Sequence, residues 1–147
     1  MRALTGTLLL ACATGFSVAA DEKPVQPEGA YLLVAMEMKG DGVPADVLAK
    51  QPEANRTFTF KGETLTVVKN KKVQTLAIAL DATKNPAEIT IIGKDANGRD
   101  QPSYGIYKSD GEVVMVCAVE SNDPKDRPRE FKTSKDSKAV LMLLKKK

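Results

Sequence analysis

Histidine and tryptophan are both absent from the 147 residues of this chain. Histidine is the usual general base near neutral pH and the commonest protein ligand of zinc, and it is the central member of the Ser-His-Asp triad. Its absence therefore excludes the triad hydrolases and every metal site that depends on imidazole. The sequence predicts no metal site and no cofactor.

Cysteine is scarce, with one residue, Cys12, in an apolar N-terminal segment and the other, Cys117, far along the chain. If the N-terminal segment is removed on export, Cys117 has no partner for an internal disulfide. A lone thiol without histidine also lacks the activation that a nucleophile needs. Alternation in a strand places Cys117 on the face of Met115, opposite Val114 and Val116. We interpret it as a small buried apolar side chain, with a redox or crosslinking thiol as the alternative.

Neither sign of charge is in large excess. The chain has 22 basic and 19 acidic residues, which gives a net charge of +3. Nucleic-acid binding proteins usually carry a clustered basic face, so no nucleic-acid partner is expected. Carboxylate pairs remain possible groups for acid–base catalysis. The acidic residues cluster in turns, as in a soluble β protein, and the protein is predicted not to be an enzyme. Residues 95–100, DANGRD, favour a hairpin turn over a calcium loop.

The N-terminus has the three parts of a secretory signal peptide. Arg2 is its single charge, residues 4–19 are largely apolar, and two alanines precede the charged Asp21. We predict cleavage after Ala20 and export to the periplasm or the exterior, with no membrane span afterwards. A membrane anchor and lipid attachment at Cys12 are the two alternatives.

Beyond a flexible lead-in at residues 21–28, short apolar-alternating runs recur every 8–12 residues with turn signals between them. The pattern predicts a single domain over residues 29–147, an all-β antiparallel up-and-down barrel of about eight strands. A first strand is predicted over residues 29–39, where the apolar run at residues 32–34 indicates either a bulge or a strand with both faces covered. One short helix over residues 44–51 follows and can plug an open end. A closing strand or two is expected between residues 130 and 144.

An eight-stranded barrel either is filled by its own side chains or holds one small ligand. Alternation directs a set of apolar residues inward, and the candidate ligand-binding residues of the interior are Phe58, Phe60, Leu76, Ile78, Tyr104, Ile106, Val114 and Val116. Four more inward positions complete the set: Leu65, Val67, Ile89 and Ile91.

A series of short motifs runs through the chain in a fixed order: GAY at residues 29–31, FKG at 60–62, GIY at 105–107, DG at 110–111, Cys117 and RPREF at 127–131. In this order they resemble a planctomycete-type family of small, uncharacterised exported domains with a lipocalin-like character. The resemblance implies a bacterial source and no known activity. That family usually has tryptophan where this chain has Tyr31. In lipocalin-like barrels an arginine packs across this aromatic and closes one end, which makes Arg127 the candidate here and Arg129 the second choice.

Two functions fit this sequence. The first is an envelope module that binds a small apolar or amphipathic ligand inside the barrel. The alternative is a filled barrel that serves as a structural or protein-interaction domain, with an envelope protein as its partner. An enclosed or open-ended apolar pocket of a few hundred Å³ would favour the first function, and a filled interior would favour the second.

Overall fold

The structure is a computed structural model and describes residues 23–147. The predicted signal peptide at residues 1–20 and Cys12 lie outside the described residues. The strands are β1 (Gly29–Met38), β2 (Asp41–Gly42), β3 (Thr57–Lys61), β4 (Thr64–Lys69), β5 (Lys72–Asp81), β6 (Ala87–Lys94), β7 (Asp100–Ser109), β8 (Val113–Glu120) and β9 (Val140–Lys146). The α-helix α1 (Ala45–Ala49) and two 3₁₀ turns, Glu53–Arg56 and Pro124–Asp126, complete the described part.

The predicted fold is confirmed as a closed, antiparallel, up-and-down barrel of eight strands with a lipocalin-like architecture. Each of the strands from β3 to β9 pairs with its neighbour in sequence, and β1 pairs with both β3 and β9, so the sheet closes on itself. The two-residue strand β2 adds to the far end of β1. Closure leaves the long strands without a free edge, which protects them from pairing with another chain.

A bulge is present in the first strand, as a register shift between Leu33 and Ala35 where β1 pairs with β9.

The helix predicted over residues 44–51 is shorter in the structure. It begins at Ala45, directly after Pro44, and ends at Ala49. Its Leu48 is 6% exposed and belongs to the interior cluster, so α1 packs across one end of the barrel. No helix within residues 23–147 has the length and apolar character needed to cross a membrane.

The opposite end of the barrel is covered by the lead-in segment. The sequence predicts this segment to be flexible, yet Pro27 is fully buried and the Val25 amide donates a hydrogen bond to the Ser109 carbonyl. The Tyr31 hydroxyl donates to the Gly111 carbonyl at 2.7 Å, which holds the β7–β8 turn at the same end. These contacts close this end, which we call the closed end.

Between β8 and β9 the chain forms a long connection, residues 121–139, that we call the strap. One closing strand is present in the expected region, but it starts later than residue 130, because only Val140–Lys146 pairs as β9. The strap runs over the outside of the barrel, where the Thr133 hydroxyl donates to Glu37 Oε1 at 2.6 Å and accepts from the Gly40 amide at 2.8 Å. Side-chain bonds to β1 and its turn therefore replace strand pairing in this part of the chain.

A second apolar cluster lies between the strap and the barrel wall. Its buried members are Ile106 and Cys117 with Val119 and Ala139, and Phe131 and Leu141 pack against them. The main cluster lies inside the barrel and contains no residue of this set. The barrel thus buries apolar surface on both faces of β7 and β8.

Candidate functional site: an apolar cup at the open end

The inward-facing side chains differ in exposure from one end of the barrel to the other. On seven strands, the inward residue nearer the closed end is buried; these residues are Leu33, Phe60, Leu65, Ile78, Ile89, Val116 and Leu144. The next inward residue toward α1 is only partly buried on each strand; these are Met36, Phe58, Val67, Leu76, Ile91, Ala118 and Met142. The second set lines what we call the apolar cup, and the end that holds it is the open end.

The floor of the cup is closely packed. Phe60 and Ile89 are each 1% exposed, and the ring of Tyr31 meets the ring of Phe60 edge-to-face with centroids 5.6 Å apart. Edge-to-face pairs add to the stability that burial of the rings provides. The protein therefore fills the lower half of the interior, while the cup residues above it keep partial contact with solvent.

The segment between β1 and β3 forms part of the rim. Leu48 of α1 and the partly buried Val43 both contact the interior cluster, while Val47 points outward and is 44% exposed. The Val43 amide donates to the Met36 carbonyl at 2.8 Å and so fixes this segment to the end of β1. The helix thus covers one side of the open end, as the predicted plug would, and leaves the rest of the opening uncovered.

A cavity of about 490 Å³ lies at the rim between β5 and β6. The two strands pair from Ala77–Ile92 downward, and above this pair they diverge. The cavity is lined by the inward-facing Gln74, Leu76 and Gly93, by Thr75, Ala77 and Ile92 of the outer face, and by Lys94 and Asp100. It therefore opens to the outside of the wall as well as to the cup, with which it shares Leu76. Its volume lies within the range of small-molecule sites.

Six of the eight predicted ligand-binding residues face the interior. Phe58 and Leu76 lie in the wall of the cup, and four are buried below it: Phe60, Ile78, Val114 and Val116. The predicted inward orientation of Ile106 is wrong, because Ile106 packs with Cys117 under the strap. Tyr104, two residues earlier on β7, shares that outer face and lies under Arg127.

Arg127 does not stack on Tyr31, so the predicted barrel-closing contact is wrong. Its guanidinium lies 5.3 Å from the ring centroid of Tyr104 instead. Nη1 donates to the carbonyls of Ile89 at 2.8 Å and Gly105 at 2.6 Å, and Nη2 donates to Thr90 Oγ1 at 3.0 Å. Because Tyr31 is inside the barrel and the strap is outside, the two side chains are on opposite sides of the wall.

Met36 and Met142 are cup residues that sequence reasoning missed. Met36 follows the bulge in β1, which shifts the alternation by one residue, and Met142 belongs to a strand whose start was misplaced. The two residues pair across β1 and β9. Methionine adapts its shape to different neighbours, which suits a binding surface.

Two buried titratable groups lie outside the cup, Tyr107 toward the closed end and Cys117 under the strap. Burial raises the pKa of the Tyr107 hydroxyl, and the charge of Asp81 raises it further. Burial also raises the pKa of the Cys117 thiol, which donates a weak hydrogen bond to the Lys132 carbonyl at 3.7 Å. Both groups therefore stay neutral near pH 7, and neither supplies a nucleophile. Among residues 23–147 no group of three or more His, Cys, Asp or Glu side chains could hold a metal ion.

Cys117 is expected to resist alkylation in the folded protein. It is fully buried under the strap and its raised pKa keeps it protonated, whereas the thiolate is the reactive form. Iodoacetamide at pH 8 should label it at least 100-fold more slowly than it labels the urea-unfolded chain, as read by mass spectrometry. Equal rates would show that the strap does not shield the thiol.

Comparison of the chain with protein-family models, with curated proteins and with solved structures finds no significant match. The functional argument therefore depends on the geometry of the described residues.

Proposed function

We propose that this protein is an exported, non-enzymatic binding module that holds a small apolar or amphipathic molecule in the apolar cup. The observation that carries the proposal is the change in exposure along the barrel, since apolar side chains on seven strands keep solvent contact at the same end. Covering apolar surface is favourable by about 25 cal/mol per Å². A ligand that fills the cup gains this free energy without any rearrangement of the floor.

The N-terminal sequence pattern supports export, and the lipocalin-like barrel agrees with what the resemblance to the planctomycete-type family implies. Membership of that family is part of the proposal. The alternative function, a structural or protein-interaction domain, gains support from the packed floor, which leaves only the upper half of the interior for a ligand.

The first test is native mass spectrometry of the protein purified from its own source, compared with its mass after denaturation. Extra mass that is lost on denaturation is the expected result, and it would identify the class of ligand. A bare mass together with no binding of a neutral fluorescent probe, N-phenyl-1-naphthylamine, would favour the structural or interaction domain.

A bulky side chain in the cup should weaken binding. Ile91→Trp places a bulky ring among the cup residues, and we expect the affinity for N-phenyl-1-naphthylamine to fall at least tenfold. Val73→Trp is the matched control, because Val73 lies on the outward face of β5, is 71% exposed and lines neither the cup nor the rim cavity. Its affinity should stay within twofold of wild type.

The chain has no natural tryptophan, so the fluorescence of each variant reports on the introduced ring alone. The indole emission of Ile91→Trp should lie at shorter wavelength than that of the outward-facing control. Equal loss of probe binding in both variants, with both folded by circular dichroism, would contradict the cup as the binding site.

A further inference from the structure

The β4–β5 hairpin carries two lysines directly opposite each other at the rim. Lys69 ends β4, Lys72 begins β5, and the two residues pair in register. The turn between them has two residues with positive φ, Asn70 at 52° and Lys71 at 63°, as in a type I′ turn. The regular two-residue turn keeps the alternation of both strands up to the tip.

Alternation places both lysines on the cup side of the hairpin. Lys69 lies two residues beyond Val67, and Lys72 lies four residues before Leu76, with Gln74 between them. Val67 and Leu76 face the cup, and side chains at even spacing share one face of a strand. The wall of the cup therefore changes from apolar to basic at its upper edge, about 13 Å above the floor residue Leu65, at ~3.3 Å per residue.

No carboxylate of the two hairpin strands neutralises this pair, and Asp100, which lines the rim cavity, pairs with Lys94. The chain has no aspartate or glutamate between Glu63 and Asp81. Neither lysine takes part in any of the ion pairs between described residues. Like charges directly opposite on one face of a sheet destabilise the pairing. An anion placed between them would remove this repulsion.

We infer that the ligand of the cup is an anionic single-chain amphiphile, with a hydrocarbon tail among the cup residues and a carboxylate between Lys69 and Lys72. A long-chain fatty acid has this chemistry. The inference rests on the proposed function, since the tail needs the cup. The Gln74 side chain, which lines the rim cavity, adds a neutral donor on the same face.

The test compares two probes of equal chain length, dodecanoate and dodecanol, as competitors of N-phenyl-1-naphthylamine. We expect dodecanoate to bind wild type roughly tenfold more tightly than dodecanol, because charge-assisted hydrogen bonds are about twice as strong as neutral ones. The double variant Lys69→Gln/Lys72→Gln should lose this preference and keep its affinity for dodecanol. Lys71→Gln is the matched control, because it removes a charge from the same tip outside the paired positions, and it should keep the preference within twofold.

The outcomes separate the inference from the proposed function. Equal binding of dodecanoate and dodecanol to wild type would overturn the inference and leave the cup as an apolar site. Loss of the preference for dodecanoate in Lys71→Gln to the same extent as in the double variant would also overturn the inference. The preference would then come from the general positive charge of the hairpin tip and not from the paired lysines. Failure of both competitors and of the neutral probe would overturn the proposed function itself.

Discussion

Replacing Gly105 by alanine is expected to lower the free energy of unfolding by about 3 kcal/mol, at the upper end of the range for overpacking. A Cβ atom at this position would lie 2.6 Å from the Cys117 carbonyl oxygen and 2.7 Å from the Ala118 Cβ. The first of these is backbone of the paired strand β8, so it cannot move away without opening the sheet. Urea unfolding followed by far-UV circular dichroism measures the change.

Gly93→Ala is the matched control for Gly105→Ala. Gly93 also lies in a strand and faces the cup, but its added Cβ would meet only the end of the Leu76 side chain, at 3.5 Å, and a carbonyl at 3.9 Å. These are ordinary contacts, so the free energy of unfolding should change by less than about 1 kcal/mol. Equal changes in the two variants would show that the close approach of β7 to β8 carries no special cost.

The alternation of apolar residues was sufficient to predict the barrel and most of its interior. In a strand, residues two apart share a face, so Phe58 is expected on the same side as Phe60, and Ile89 on the same side as Ile91. All four residues face inward as expected. The turn at Asp95 is also confirmed, since its carboxylate accepts hydrogen bonds from the amides of Asn97 and Arg99. Local sequence carries these features because strand period and turn chemistry are local properties.

Ile106 shows where the pattern was ambiguous. Ile106 and Tyr107 are adjacent and both apolar, so alternation alone cannot decide which of them faces inward. The register decides it, because Tyr107 pairs with the inward Val116 and Ile106 pairs with the outward Cys117. Both faces of β7 are buried here, and the strap that buries the outer face has no periodicity from which its position could be predicted.

The position of the cup could not be predicted from the sequence. Phe58 and Phe60 have the same residue type and the same orientation, yet only Phe60 is buried. The difference depends on which end the lead-in and Tyr31 close, and these are contacts between residues far apart in the chain. Even the buried Pro27 of the lead-in has a polar sequence around it that predicts mobility.

Replacing Arg127 by alanine should cost about 3 kcal/mol of unfolding free energy, because hydrogen bonds of charged donors contribute about 1.5–3 kcal/mol each and are not additive. The variant loses three hydrogen bonds, the contact with Tyr104 and the ion pair with Glu88 at 3.6 Å. The Arg127 side chain is 18% exposed, so water replaces few of these contacts. Arg127→Lys should recover little, since an ammonium group cannot reproduce the fork of the guanidinium.

Arg129→Ala is the matched control for Arg127→Ala, because Arg129 is exposed on the same strap and joins no ion pair between described residues. Its free energy of unfolding should change by less than about 0.5 kcal/mol. A change this small in Arg127→Ala would contradict the role of Arg127 as the attachment of the strap.

The alkylation rate of Cys117 measures opening of the strap locally, because Arg127 holds the strap that covers the thiol. If Arg127→Ala speeds labelling under native conditions by more than its loss of global stability predicts, the strap opens without unfolding of the barrel.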